Sequence, residues 1–205
     1  SMRALGGDIQ IVPSEGGRIT PDLIPRMIGL ASEMGKLSEN YWTRQFENRD
    51  ALEGYRKMGQ EILQQCPAPV NAFVAAVGTA GMLIGVSMEL KKNNANTKIV
   101  ALEPTESPVL TQGIKGSHSI DGVGVGFVPP MLSAIDYDEV WAIPEARARE
   151  TARLLAAREG IFAGTSTGLN VAAALDMGHR LGPGHTVVTV ACDSGMKYLA
   201  GGLFD

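Results

Sequence analysis

The feature that most constrains this chain is a strand–turn–helix–strand succession at its centre. Val70–Val77 (V-N-A-F-V-A-A-V) is an apolar run of strand length, and Gly78-Thr79-Ala80-Gly81 is a turn. Met82–Lys92 reads as a helix, and Lys98–Leu102 (K-I-V-A-L) is a second apolar run. Strands joined through a helix run parallel, and a parallel sheet needs both faces covered. The order recurs downstream. Glu139–Ile143 reads as a strand, Pro144–Glu159 as a helix stopped by Gly160, Leu169–Met177 as a helix and Thr186–Cys192 as a last strand. Upstream, Asp8–Pro13 and Tyr41–Phe46 read as strands and Asp50–Gln65 as a helix. Another helix runs from a cap at Thr20-Pro21-Asp22 through Met34, with Pro25 in its first turn. The expectation is an α/β fold of three layers on a mostly parallel sheet. Glu103–Pro130 is the longest irregular stretch, the kind of segment in which function concentrates.

Charge and cysteine content narrow the function classes. Net charge is -4, and no basic cluster exceeds Lys91-Lys92, so nucleic acid is not an expected partner. The apolar runs are strand-sized, so no membrane span is expected. Cys66 and Cys192 make no disulfide framework and fit a reducing cytoplasm. His118, His179 and His185 are scattered, and no metal site is expected.

Glycine is in excess: 25 of 205 residues, roughly 12% against a usual ~7%. Much of it sits at element junctions. Gly78–Met82 lies where a strand ends and a helix begins, so unpaired N–H groups and the helix dipole favour a phosphate there. The segment lacks the Gly-Lys-Ser/Thr of a Walker loop and the GxGxxG of a dinucleotide site. A plain tight turn is the simpler alternative. Gly164-Thr165-Ser166-Thr167-Gly168 is a second junction, where Ser166 or Thr167 would serve as an ordinary N-cap. Alternating glycines at Gly122, Gly124 and Gly126 suit neither strand nor helix and suggest backbone passing close to another group. Cys192-Asp193-Ser194-Gly195 ends the last strand at the carboxyl edge, where α/β proteins place ligands; Asp193 could equally cap a following helix.

Taken together these segments resemble the fold type II pyridoxal-phosphate enzymes, in the group of cysteine synthase (O-acetylserine sulfhydrylase) and cystathionine β-synthase. Ala4-Leu5-Gly6-Gly7-Asp8 is similar to the family's A-L-G-A-E, and Gln45-Phe46-Glu47-Asn48 to its Q-F-x-N. Gly78–Met82 stands where the family has G-T-G-G-T, and His118–Pro129 follows H-x-I-x-G-I-G-x-G-F-x-P. Glu103–Leu110 resembles the segment after the next strand. Glu159-Gly160 with Gly164–Gly168, and Gly195–Phe204, match the E-G … G-I-S-S-G and G-x-x-Y-L … L-F segments.

The resemblance implies a tryptophan synthase β-like fold, with residues 1–46 the remainder of a small N-terminal domain and 47–205 a large phosphate-binding domain. It implies pyridoxal 5'-phosphate as cofactor, with Gly78, Thr79, Ala80, Gly81 and Met82 on its phosphate and Gly164 against its far side. Asp193 or Ser194 would meet the pyridine nitrogen; a hydroxyl would leave it unprotonated, a carboxylate would hold a proton there. Gln45 and Phe46 would face the amino-acid substrate. The implied reaction is β-replacement on O-acetylserine or a similar activated serine by sulfide, in a cytoplasmic homodimer. Ala80 and Met82 depart from the family's Gly and hydroxyl residue, and Asn48-Arg49-Asp50 shortens its N-P-A-N. The family's Schiff-base lysine precedes all of these motifs, so the resemblance implies an incomplete N-terminus, no catalytic amine and little turnover by the chain alone. The alternatives are a non-catalytic module that binds a phosphate ligand or a partner, and a cystathionine β-synthase-like lyase. A nucleotide-binding Rossmann domain is weaker, without GxGxxG or an acidic ribose partner.

Overall fold

The computed structural model describes residues 2–133 and 136–205. Its sheet has four strands: β1 (Val70–Ala76), β2 (Lys98–Pro104), β3 (Glu139–Ile143) and β4 (Thr186–Val188). All three pairings are parallel, in the order β3-β2-β1-β4. The helices are α1 (Leu23–Met34), α2 (Ala51–Gln65), α3 (Gly81–Asn93), α4 (Val109–Gln112), α5 (Glu145–Glu159) and α6 (Thr165–Leu181).

The apolar runs alternate between two cores, as the two-residue period of a strand requires. Phe73 and Ala75 of β1 and Ile99 and Ala101 of β2 meet Leu83, Ile84 and Leu90 of α3, with Leu52 of α2 behind them. Ala72, Val74 and Ala76, with Val100 and Leu102, face Leu169, Ala172, Ala173 and Met177 of α6 and Ala148 of α5. Each such Val, Leu, Ile or Phe contributes about 1.5–3 kcal/mol by leaving water. That near-continuous apolar character is why β1 and β2 are central.

Two expected strands do not form. Asp8–Pro13 forms no strand and is unpaired, with Ile11 exposed; a strand's polar backbone needs a neighbouring strand, and no described residue offers one there. Tyr41–Phe46 is broken at Arg44, whose φ of 48° turns the chain so that Glu47 and Asn48 both donate to its carbonyl at 2.8 Å. The last strand is shorter than Thr186–Cys192. Past Val188 the side chains of α6 take the backbone groups: Asn170 Nδ2 donates to Val190 O at 2.9 Å, and Cys192 N–H donates to Thr167 Oγ1 at 3.0 Å. The second junction also differs from expectation. Ser166 and Thr167 lie inside α6, and Gly164 is the N-cap residue, with no capping side chain.

Asn170 is wholly buried and joins two strands from a helix. Its Oδ1 accepts from Ala76 N–H at 2.8 Å while its amide holds Val190. On α2 and α3, the buried Glu89 accepts from Arg56 at 2.8 Å and from Gln60 at 3.3 Å. The Arg56 hydrogen bond, then that of Gln60, holds the Glu89 carboxyl below its ordinary range. Glu139 and Asp176 are lowered by hydrogen bonds from Arg180 and Arg147 respectively. At Asp138 desolvation is the largest influence and raises the value, but the Ile99 N–H and Lys91 outweigh it and the net shift is downward.

Replacing Asn170 by Ala leaves a buried N–H and a carbonyl unpaired and lowers stability by about 2–3 kcal/mol. Urea unfolding checks this, with an unchanged denaturant slope marking a folded-state effect. These four carboxyls contribute to the acid limb. Their folded-state pKa values lie below the unfolded ones, so their stabilisation is present above the ordinary carboxylate range and is lost as pH falls through the folded values. Thermal melting followed from neutral pH downward therefore shows a falling midpoint below that range. The Arg56→Met variant loses less on acidification than the unaltered chain, because the largest part of the Glu89 contribution, the Arg56 hydrogen bond, is already gone.

Candidate active site

One cleft opens at the carboxyl edge of the sheet. β1 leads into α3 on one face, whereas β4 is reached through α5 and α6 on the other, so the chain diverges between β1 and β4. Divergence of this kind is where open parallel sheets place ligands. The cavity holds about 590 Å³ and takes its walls from three places: Gly78–Met82 after β1, Asp121–Val125, and Val190–Asp193 after β4. Ile19, Ile24, Gln45 and Phe46 close it from the N-terminal side.

The floor is the turn into α3. The helix ladder starts with Ile84 N–H donating to Ala80 O at 3.0 Å, and Gly81 N–H has only a long contact, 3.4 Å, to Thr79 Oγ1. Among the described residues, the N–H groups of Thr79, Ala80, Met82 and Leu83 have no protein acceptor. Ala80 sits at φ 71°, a left-handed conformation that costs a non-glycine residue about 1–2 kcal/mol. Unpaired donors on a strained turn, at the positive end of a 13-residue helix, suit a bound anion.

The glycine run is explained by position as well as conformation. Gly122, Gly124 and Gly126 have φ of 80°, 59° and 83°. Gly122 O lies so close to Gly78 that any side chain at Gly78 would strike it, and Gly124 N–H donates to Val77 O at 3.2 Å. The buried His118 fastens the loop from below, with Nε2 at 2.9 Å from Gly124 O and Nδ1 accepting from Ile120 N–H at 3.2 Å.

On the far wall Asp193 carries the charge. Its Oδ1 accepts from Gly164 N–H at 3.2 Å and its Oδ2 from Tyr198 Oη at 2.9 Å, with Lys197 Nζ at 3.3 Å. A side chain on Gly164 would collide with Tyr198 and Asp193 together. Burial, then the hydrogen bond to Asp193 and its negative charge, push the Tyr198 phenol up, so it stays a donor. Ser194 lies outside the cavity lining; its Oγ accepts from Met196 N–H at 3.3 Å and caps a short 3-10 turn, Gly195–Tyr198, the role expected as an alternative for Asp193. The Cys192 thiol on the same wall is raised chiefly by burial, against a lowering by Ser166, and is a poor nucleophile at neutral pH.

Of the residues singled out by sequence, Gly78, Thr79, Ala80, Met82, Asp193, Gln45 and Phe46 meet around one cavity. Gly81 and Gly164 stand behind its wall, and Ser194 faces away. Phe46 is buried edge-on against Phe127, 5.2 Å between ring centres, whereas Gln45 is exposed at the mouth. Sequence reasoning missed Tyr55, Asp121 and Lys197, which also line the cavity. The signal for Asp121 was its place beside the glycine run. Tyr55 and Lys197 carried none that separates them from a core aromatic and a solvated amine.

The chain matches known proteins along nearly its whole length. The family described as pyridoxal-phosphate dependent enzyme matches residues 1–193. A cysteine synthase of Staphylococcus aureus is 37% identical over 205 residues, 99% of this chain and 64% of that protein. Cysteine synthase of Entamoeba histolytica superposes with a TM-score of 0.86 at 31% identity, over 98% of this chain and 59% of that one. An O-acetylserine dependent cystathionine β-synthase of Helicobacter pylori gives 0.80 at 31% identity, over 89% and 59%. The chain thus spans about 64% of the length of the curated relatives it matches. With a parallel sheet covered by helices and this likeness along its length, the chain belongs to the pyridoxal-phosphate dependent enzymes of fold type II.

Proposed function

We propose that this chain supplies the phosphate cradle and part of the substrate wall of a cysteine synthase, an enzyme that replaces the β-substituent of O-acetylserine by sulfide. The observation that carries this reading is the facing of two charges across one cavity: free N–H groups at Gly78–Met82 on one side, Asp193 on the other. A phosphorylated pyridine needs both an anion site and a partner for its ring nitrogen, and the residues present fit it. Residues 1–46 are read as the remainder of a small domain and 47–205 as the large domain.

Pyridoxal 5'-phosphate, when bound, supplies the electron sink that labilises bonds at the substrate's α-carbon. The chain's residues act around it. Backbone N–H groups and the Thr79 hydroxyl hold the phosphate, and Met82 adds no donor of its own. Asp193, held by Gly164, Tyr198 and Lys197, is the stronger candidate for the pyridine nitrogen than Ser194, whose hydroxyl is engaged in a cap. An acceptor-only carboxylate there favours a protonated ring. Gly164 acts through Asp193. Gln45 offers its amide to the substrate carboxylate, and Phe46 excludes water from the reacting carbons. The cytoplasm and a homodimer complete the reading.

Lys197 is the one lysine on the cavity wall, and its amine is spent on Asp193, the wrong end for an aldehyde set para to the ring nitrogen. The covalent amine is therefore assigned to a segment supplied from outside these 205 residues. Mixing the chain with pyridoxal 5'-phosphate is expected to give saturable binding that inorganic phosphate competes away. Neither a lysine-dependent absorbance band near the visible edge nor acetate release from O-acetylserine is expected. Adding a polypeptide that carries the family's lysine segment should restore both. Acetate release by the chain alone would show that the amine is already present. Binding without any rescue by the lysine segment would favour a non-catalytic phosphate-binding module instead.

A further inference from the structure

Tyr55, on α2, lies along the first turn of α3, and two glycines fix how it lies. A methyl placed on Gly85 would come within 2.5 Å of Tyr55 Cβ; one placed on Gly81 would be 3.2 Å from Cε2 and 3.5 Å from Cδ2. The ring thus runs from Gly85 back to Gly81, one turn of about 5.4 Å toward the helix N-terminus. The hydroxyl, para to Cβ, lies further along that line, on the side of the turn that carries the unpaired N–H groups. The same position above Gly81 is 3.6 Å from Thr79 Oγ1, so the two hydroxyl-bearing side chains flank the cradle. Tyr55, Thr79 and Met82 all line the cavity. The neighbours of Tyr55 on α2 are otherwise engaged: Arg56 with Glu53 and Glu89, Gln60 with Glu89.

Packing alone would be served by phenylalanine. The cradle has one side-chain donor, Thr79, and a thioether at Met82, so a dianionic phosphate meets backbone groups and a single hydroxyl. We propose that Tyr55 is a phosphate ligand of this site, its phenol O–H donating to a phosphomonoester oxygen held at Gly78–Met82 and standing in for the donor that Met82 lacks. The inference rests on the reading of the cavity as a site for a phosphorylated pyridine. A hydrogen bond from a neutral donor to a charged oxygen is the strong kind, and is lost without disturbing the ring when Tyr becomes Phe.

The test is calorimetric binding of pyridoxine 5'-phosphate, which has no aldehyde, and of pyridoxine, which has no phosphate, to the 205-residue chain. Tyr55→Phe is expected to weaken the phosphate ester about tenfold while leaving pyridoxine and the melting temperature unchanged. Adding Met82→Thr to Tyr55→Phe should recover most of that loss by returning a hydroxyl to the cradle. The ³¹P resonance of the bound ester should differ between the unaltered chain and Tyr55→Phe. Equal affinity of the two for the ester would overturn the proposal, and so would a loss shared equally by ester and alcohol, which would mark a packing role. If the unaltered chain binds the ester no more tightly than the alcohol, the phosphate reading of the cavity fails, and this inference with it.

Discussion

Everything at the cleft depends on β1 pairing in parallel with β2 on one side and β4 on the other. Parallel pairing forbids hairpins, so each strand leaves the sheet at the same edge and returns through a crossover. The crossovers take opposite faces, and the edge between β1 and β4 is left uncovered. Into that gap come the N-terminus of α3 and the chain beyond β4, which carries Asp193. Neither charge faces the other by its own design; the sheet order brings them together.

Holding the gap open and shaped falls to hydrogen bonds that replace sheet ladder. Asn170 and Thr167 take up the backbone past Val188, where β4 can no longer pair with β1. On the opposite side, Gly124 N–H caps Val77 O and Gly122 presses on Gly78. The cradle is therefore braced by the loop that lines it, and a ligand seated there touches both. A shift of the 118–126 loop cannot leave the turn at Gly78–Met82 unchanged. The wholly buried His118, with both ring nitrogens used, makes such a shift costly.

How far the sequence could be read tracks how local the causes are. The βαβ unit, β3 and the helices α2, α3 and α5 were legible because apolar period and glycine stops sit within each segment. The turn at Gly78–Gly81 was legible as a strand-to-helix junction because glycines stand between an apolar run and a helical pattern. Tyr55 was not, since its role follows from α2 packing across Gly81 and Gly85, a contact between segments some 30 residues apart. Spacing did not distinguish the surroundings of Asp193 and Ser194; the first accepts from Gly164 and Tyr198, the second from Met196. Asp8–Pro13 has the pattern of a strand, but a strand is a relation between two segments and the second is not among the described residues.

The two sides of the cleft consequently differ in how self-sufficient they are. The cradle and the Asp193 wall grow from β1, α3 and α6, whose core side chains are almost wholly out of water, and from the chain beyond the half-buried β4. The side bearing Ile19, Ile24, Gln45 and Phe46 rests on a segment whose Ile11, Met27, Met34 and Leu37 stay exposed. Apolar surface of that kind has a stabilisation still to gain from burial, about 25 cal/mol for each Å² covered. Burial of that surface would firm up the Gln45–Phe46 side of the cleft far more than the Gly78–Met82 side. On the proposed reading, affinity for a phosphate would then follow from the packing of this chain's own core, while the grip on an amino acid's carboxylate would depend on what packs against residues 1–46.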